Sequence, residues 1–190
     1  MQTSTTAKTF TADEFYRLEE LGFLEGNERF ELLDGRIVHR HDDVGPAHLS
    51  VVVRMTEKFV LALGDQATVF PQVSLRLTPR STPIPDIYVA PKRADYYRSG
   101  GPTLDELEAV VEVADSSLAI DRGEKLRIYA RAGVREYWIA NLRAWTIEKH
   151  RLPNARGYGE VKPYSGSDGI RFEAYPGVRF VVDGLLGPRA

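Results

Sequence analysis

The sequence predicts an α/β domain in which helices flank a mixed β-sheet, and three observations predict it. A Thr-x-x-Glu capping box opens an amphipathic helix near the start, and an Asp34-Gly35 pair sits between two strand-like runs. A run at 108–114 that is apolar at nearly every position is followed by a helical pattern at 121–132. A strand of that kind belongs at the centre of a sheet, covered on both faces.

Thr11 and Glu14 form the capping box, with Phe15 and Leu18 at helical spacing, so a first helix is expected to run to about Gly22 as a lid over the core. The run 29–38 reads as two strands around Asp34-Gly35, a hairpin signal. Glu31 should project from the face opposite Phe30 and Leu32. Over 46–63, Leu49, Val52, Val53, Phe59, Val60 and Leu63 recur with helical period, and Gly64 stands where a C-terminal cap is needed. Residues 67–77 read as a strand, and the irregular loop 78–83, with two prolines, delivers a short strand over 86–90. Asp86 therefore opens a strand directly after prolines.

Residues 91–107 are polar, with a loop at Gly100, Gly101 and Pro102 and a helical turn over 104–107. The helix 121–132 turns Leu126, Ile128, Tyr129 and Ala132 to the core and ends at Gly133. Residues 135–140 and 145–150 are expected to pair as strands, and 162–182 to add short antiparallel strands. With no repeat, low-complexity tract or linker, residues 10–190 are expected to form one domain behind a flexible 1–9.

Composition narrows the chemistry. There is no cysteine, so disulfides, cysteine-ligated zinc, iron–sulfur clusters and thiol nucleophiles are excluded, and a metal would need oxygen or imidazole ligands. The longest apolar stretches fall far short of the roughly 20 residues a membrane span requires. The first ten residues lack the apolar centre of a signal peptide, so a cytoplasmic location is expected. A formal charge of -2 argues against nonspecific coating of nucleic acid but allows a local basic face around an acidic pocket. A phosphate-binding glycine loop and a Gly-x-Ser-x-Gly elbow are both missing.

Glu112 is the residue that asks for an explanation, because burying a carboxylate in an apolar strand is costly unless it is paired, protonated or bound to a metal. An ion pair with an arginine is one account of it. Asp86 offers another, since two carboxylates brought together repel unless a cation or a proton joins them. Mg²⁺ or Mn²⁺ takes one or two carboxylates plus water and substrate phosphate. Lys125, on the helix after the Glu112 strand, is the natural cation to stabilise the transition state.

These residues carry a resemblance. Ile84-Pro85-Asp86-Ile87, Val111-Glu112-Val113-Ala114-Asp115-Ser116-Ser117, Asp121-Arg122-Gly123-Glu124-Lys125-Leu126 and the run from Tyr129 through Gly133 to Ile139 resemble the Uma-two family, bacterial proteins classed with the PD-(D/E)XK endonucleases. The likeness extends upstream through the Glu31–Gly35 hairpin and His48. It implies a restriction-endonuclease-like core, Asp86 and Glu112 as ligands of Mg²⁺ or Mn²⁺, and hydrolysis of phosphodiester bonds in nucleic acid, DNA rather than RNA. The superfamily's lysine two residues after the second acid is replaced by Ala114, so the resemblance implies that Lys125 supplies it from the next helix, with Glu31 as a further catalytic carboxylate. A homodimer is the expected assembly, with no membrane partner. The alternative is a non-catalytic nucleic-acid-binding or regulatory protein that keeps the nuclease fold.

Other readings compete at single residues. Lys125 lies four residues after Asp121, the spacing of a surface ion pair, and Glu31 fits an exposed hairpin face. Asp115, Ser116 and Ser117 read first as helix caps, with Ser116 also a candidate substrate contact. His48 and Arg122 are candidate substrate contacts, whereas Arg127 and Arg131 read as a solvated helix face. A zinc site at His39 and His41 lacks a matching carboxylate, and Tyr137 and Trp138 read as core or interface.

Overall fold

A computed structural model describes residues 7–24, 29–40 and 45–189. Strands β1 (Arg29–Leu33) and β2 (Arg36–Arg40) form the expected antiparallel hairpin. Its turn places Asp34 at φ 49° and Gly35 at φ 80°, two left-handed residues whose twist suits a two-residue hairpin. A Cβ on Gly35 would stand 2.9 Å from Thr9 Cβ, so glycine also permits the close approach of the chain that leads into α1 (Ala12–Glu20). The Thr11–Glu14 capping box is formed.

The main sheet holds β3 (Ala67–Pro71), β4 (Ile87–Pro91), β5 (Ala109–Ala114), β6 (Glu136–Asn141), β7 (Thr146–Asn154) and β8 (Gly157–Ser165), side by side in chain order. Only β5 and β6 run parallel, and the helical crossover between them comprises α3 (Leu118–Ile120), a π-helical turn (Asp121–Lys125) and α4 (Leu126–Ala132). Alternation along the strands divides the core. Ile87, Val89, Val111, Val113, Trp138 and Ala140 face α2 (Pro46–Leu63), the short pair β9 (Gly169–Ile170) and β10 (Phe180–Val181), and α5 (Val182–Leu186). Tyr88, Val110, Tyr137 and Ile139 face the crossover helix on the opposite side. Tyr137 and Trp138 are thus core residues of opposite faces, both fully buried.

Several expectations are corrected. In α2 the buried face is His48, Val51, Val52, Met55, Phe59 and Leu63, while Leu49, Val53 and Val60 are exposed. The apolar set is wide enough to fit two helical phases, and packing against the sheet selects the one containing His48. The strand predicted over 67–77 stops at Pro71, because Gln72 turns left-handed at φ 52°. The segment after it bonds instead to the loop, Leu75 N to Pro83 O at 2.8 Å and Leu77 N to Ser81 O at 3.1 Å. The strands predicted over 162–182 are β9, β10 and the end of β8, followed by an unforeseen helix, α5. His41 and residues 1–6 of the segment expected to be flexible lie outside the described residues. No helix among the described residues is long and apolar enough to cross a membrane.

Candidate active site

Two acids meet where β4 and β5 leave their shared ladder. Ile87 pairs with Val111, and one step further Asp86 comes opposite Glu112. The Asp86 amide donates to Glu112 Oε2 at 3.3 Å, and the Val113 amide donates to Asp86 Oδ2 at 2.8 Å. Each side chain thereby caps the other strand. Further donors fix Asp86, with His48 Nε2 3.1 Å from Oδ2 and Gln72 Nε2 3.4 Å from Oδ1.

Lys125 enters from the crossover. Its ammonium lies 3.0 Å from Glu112 Oε1 and 3.0 Å from Glu31 Oε1, so it bridges the main sheet to the N-terminal hairpin. Glu31 Oε1 also accepts from the Ile84 amide at 2.6 Å, just ahead of Asp86 in the chain. Glu31, Asp86, Glu112, Lys125 and His48 are all buried. Charges removed from water in this way interact far more strongly than surface pairs. The readings of Lys125 as one half of a surface pair and of Glu31 as an exposed hairpin residue are therefore corrected.

The π-helical turn bears on how Lys125 reaches Glu112. Widening one turn inserts a residue relative to a continuous α-helix, so the side chains after it are displaced by about one residue's rotation, ~100°. Asp121, at the start of this turn, is itself buried and accepts from Ser117 Oγ at 2.5 Å. Ser117 occupies the N-cap position of α3 without capping it, because its backbone is already helical.

Tyr129 and Gln72 are residues of the cluster that sequence reasoning missed. The apolar body of Tyr129 belongs to the core, as its helical position predicts, and its hydroxyl donates to Glu112 Oε1 at 2.8 Å, beside Lys125. Burial above all, then the nearby Glu112 charge, holds the phenol well above its usual pKa, so it stays a donor. The spacing was available as a signal, since Lys125 and Tyr129 are four apart on one helix and share a face. Gln72 gave no such signal, because the left-handed turn that aims it at Asp86 has no marker glycine.

The remaining candidates lie outside this cluster. Ser116 is exposed, and the exposed Arg122 forms a two-pronged pair with Glu148, its Nε 3.0 Å from Oε2. Arg127 is exposed, and Arg131 pairs with Asp34 on the hairpin turn. Glu148 belongs to the same cross-strand row as Glu112, with Ile139 between them. Burial alone would raise its carboxyl, but the His150 imidazole and the Arg122 guanidinium outweigh that and hold it down at about 2. His39 packs against the Phe30 ring, 5.1 Å between centroids.

The donor chemistry suits a hard cation. Among the described residues no group of three or more His, Asp or Glu forms a metal cage. Two carboxylates with the remaining positions left to water and substrate oxygens are what Mg²⁺ accepts, because it sheds its waters reluctantly. The bond from Gln72 to Asp86 Oδ1 and the bond from the Asp86 amide to Glu112 Oε2 are long, at 3.4 and 3.3 Å.

Comparison with known proteins agrees with this architecture. The family model Uma2, described as "Putative restriction endonuclease", matches residues 12–183. A solved structure from Anabaena variabilis ATCC 29413, described as "a putative nuclease belonging to DUF820", superposes with a TM-score of 0.70. The two chains are 15% identical, and the match covers 93% of this chain and 97% of that one. The likeness to that structure is one of fold. A search of curated proteins returns no match.

Proposed function

The chain belongs to the Uma2 family, and on that premise we propose that it is a metal-dependent endonuclease that hydrolyses phosphodiester bonds in DNA. The observation that carries this reading is the buried Lys125 held between Glu112 and Glu31, with Asp86 bonded through its amide to the same Glu112. A bound Mg²⁺ or Mn²⁺ would supply Lewis-acid polarisation of the phosphate and a more acidic water. Asp86 and Glu112 would hold it through their oxygens, and the Val113 amide and His48 would keep the Asp86 carboxylate oriented.

Lys125 then has two tasks in the proposal. Its ammonium orients the attacking water and meets the negative charge that grows on the phosphoryl oxygens. Glu31 holds that ammonium in place from the hairpin, and Tyr129 fixes the Glu112 oxygen that Lys125 shares. His48, Ser116 and Arg122 are the residues assigned to contact with the DNA backbone. Of these, His48 already touches the cluster, and Arg122 would have to exchange Glu148 for phosphate.

The test is cleavage of supercoiled plasmid and of single-stranded circular DNA with Mn²⁺ or Mg²⁺, with RNA as a comparison. Wild type is expected to cut DNA only with the metal, and Asp86→Asn and Glu112→Gln to fold without cutting. Failure to cut any substrate, together with calorimetric Mn²⁺ binding indifferent to Asp86→Asn, would sink the proposal.

One observation favours a second reading. Asp86 and Glu112 each cap the partner strand through a backbone amide, a structural task that needs no metal. A non-catalytic protein built this way would lose stability in both variants and show no metal-dependent cleavage in wild type.

A further inference from the structure

The segment that leaves β4 is built with unusual care for an exposed connection. Tyr96 and Tyr97 are consecutive left-handed residues at φ 50° and 62°, a conformation that bulky side chains avoid and that persists only where the surroundings enforce it. Asp95 enforces it here, accepting from the Tyr97 amide at 3.1 Å, the Ser99 amide at 3.3 Å, the Ser99 hydroxyl at 2.6 Å and the Arg93 guanidinium at 3.0 Å. These contacts hold its carboxyl at about 2, the Ser99 hydroxyl first among them, so the clamp stays charged. Tyr97 anchors the loop, edge-on to Phe70 at 5.2 Å with its hydroxyl on Pro91 O at 2.7 Å.

The product of this scaffolding is Tyr96, 67% exposed, with the Lys92 ammonium 4.5 Å from its ring centroid. Arg98, two residues further along, is exposed. Residues 92–100 hold three cations and one carboxylate in a chain whose net charge is -2. A rigid aromatic displayed among cations is the arrangement that receives an unpaired base and its phosphates, because every base has a face to stack and a charged backbone beside it.

We propose that Tyr96, flanked by Lys92 and Arg98, is an accessory stacking site for single-stranded nucleic acid. The inference rests on the nucleic-acid reading of the Asp86–Glu112 site and adds a contact remote from it. The five residues of β4, roughly 17 Å of strand, and the turn over residues 92–95 lie between the two. The strand alone is as long as about five stacked nucleotides at 3.4 Å each.

The experiment is fluorescence anisotropy of a fluorescein-labelled 15-residue oligothymidine with EDTA present, so that nothing is cut, on full-length wild type, Tyr96→Ala, Tyr96→Phe and Lys92→Gln. Tyr96→Ala is expected to weaken binding about tenfold or more, and Tyr96→Phe, which keeps the ring, to stay within about twofold. Lys92→Gln should lower the slope of log affinity against log salt by about 0.7, the value for one phosphate contact on a single strand. Wild-type affinity in Tyr96→Ala would overturn the stacking site, and so would an oligonucleotide that wild type does not bind. In both events, metal-dependent plasmid cleavage that Asp86→Asn abolishes would show that the proposed nuclease reading stands, and its absence would show that both fail.

Discussion

Among the described residues two lysines are buried between two glutamates, at opposite ends and on opposite faces of the same sheet, and they differ in what surrounds them. Lys149 on β7 donates to Arg171 O at 2.7 Å and Glu173 Oε1 at 2.7 Å, and lies 3.1 Å from Glu136 Oε1. Its three N–H bonds are fully used. Glu136 is equally occupied, by the Trp138 indole at 2.6 Å and the Glu173 amide at 2.9 Å, and burial still raises its carboxyl above the usual range. Around Lys125, by contrast, a third carboxylate, Asp86, adjoins the pair, together with an imidazole and a phenol. A buried lysine between glutamates is thus no signature of a catalytic site by itself. In the proposed reading, a second strand acid beside it is what separates a place for a divalent cation from a closed internal ion pair.

Substitution at the two ends should expose that difference. The largest expected effect is on turnover, where Asp86→Asn should reduce kcat/KM for plasmid cleavage by roughly 10³-fold or more. Glu136→Gln should leave it within about twofold, and equal losses in both would erase the distinction. Next comes stability. Removing one partner of a buried pair costs about 3–5 kcal/mol, so Lys149→Met should lower the unfolding free energy by that amount, with no response to added Mg²⁺. Lys125→Met should start from a comparable loss and recover part of it in Mg²⁺, because the cation replaces the missing charge. Urea titrations with and without Mg²⁺ measure both.

A third expectation concerns acid. The Glu148 carboxyl titrates at about 2 in the fold against an ordinary 4.5, so it stabilises the protein above about pH 4.5, and that contribution disappears as the pH falls towards 2. The effect is on the order of 2–3 kcal/mol, and Glu148→Gln should flatten the stability curve across that window. The smallest effect belongs to Tyr129→Phe, about 1–2 kcal/mol for one hydrogen bond to a carboxylate that keeps its lysine. Thermal melts would read it, and a loss several times larger would make Tyr129 the main support of Glu112.

Much of this was legible in the residues themselves. The Asp34-Gly35 turn, the helix ending at Gly64 and the central strand with one acid in it are local signals, and each lies where it was read. Asp86, Glu112, Glu31, Lys125 and His48 were singled out, and the fold gathers them. The face of α2 was not legible, because Leu49, Val53 and Val60 satisfy helical spacing as well as Val51 and Met55 do. Tyr129 is legible only through its four-residue spacing from Lys125, and Gln72 escapes because hydrogen bonding to a buried carboxylate takes no distinctive residue type. Arg122 was chosen for its charge, and its partner Glu148 is a strand residue that no local pattern links to it.

The π-helical turn at Asp121–Lys125 means that the position of the lysine is set by a count of residues rather than by the identity of any one of them. Replacing side chains one at a time along 118–124 would leave that count untouched. Deleting a single residue there would let the helix close into a regular coil and swing Lys125 away from Glu112, with the composition of the site unchanged. Within this family, a gap of one position in the crossover would be a more telling difference than many substitutions.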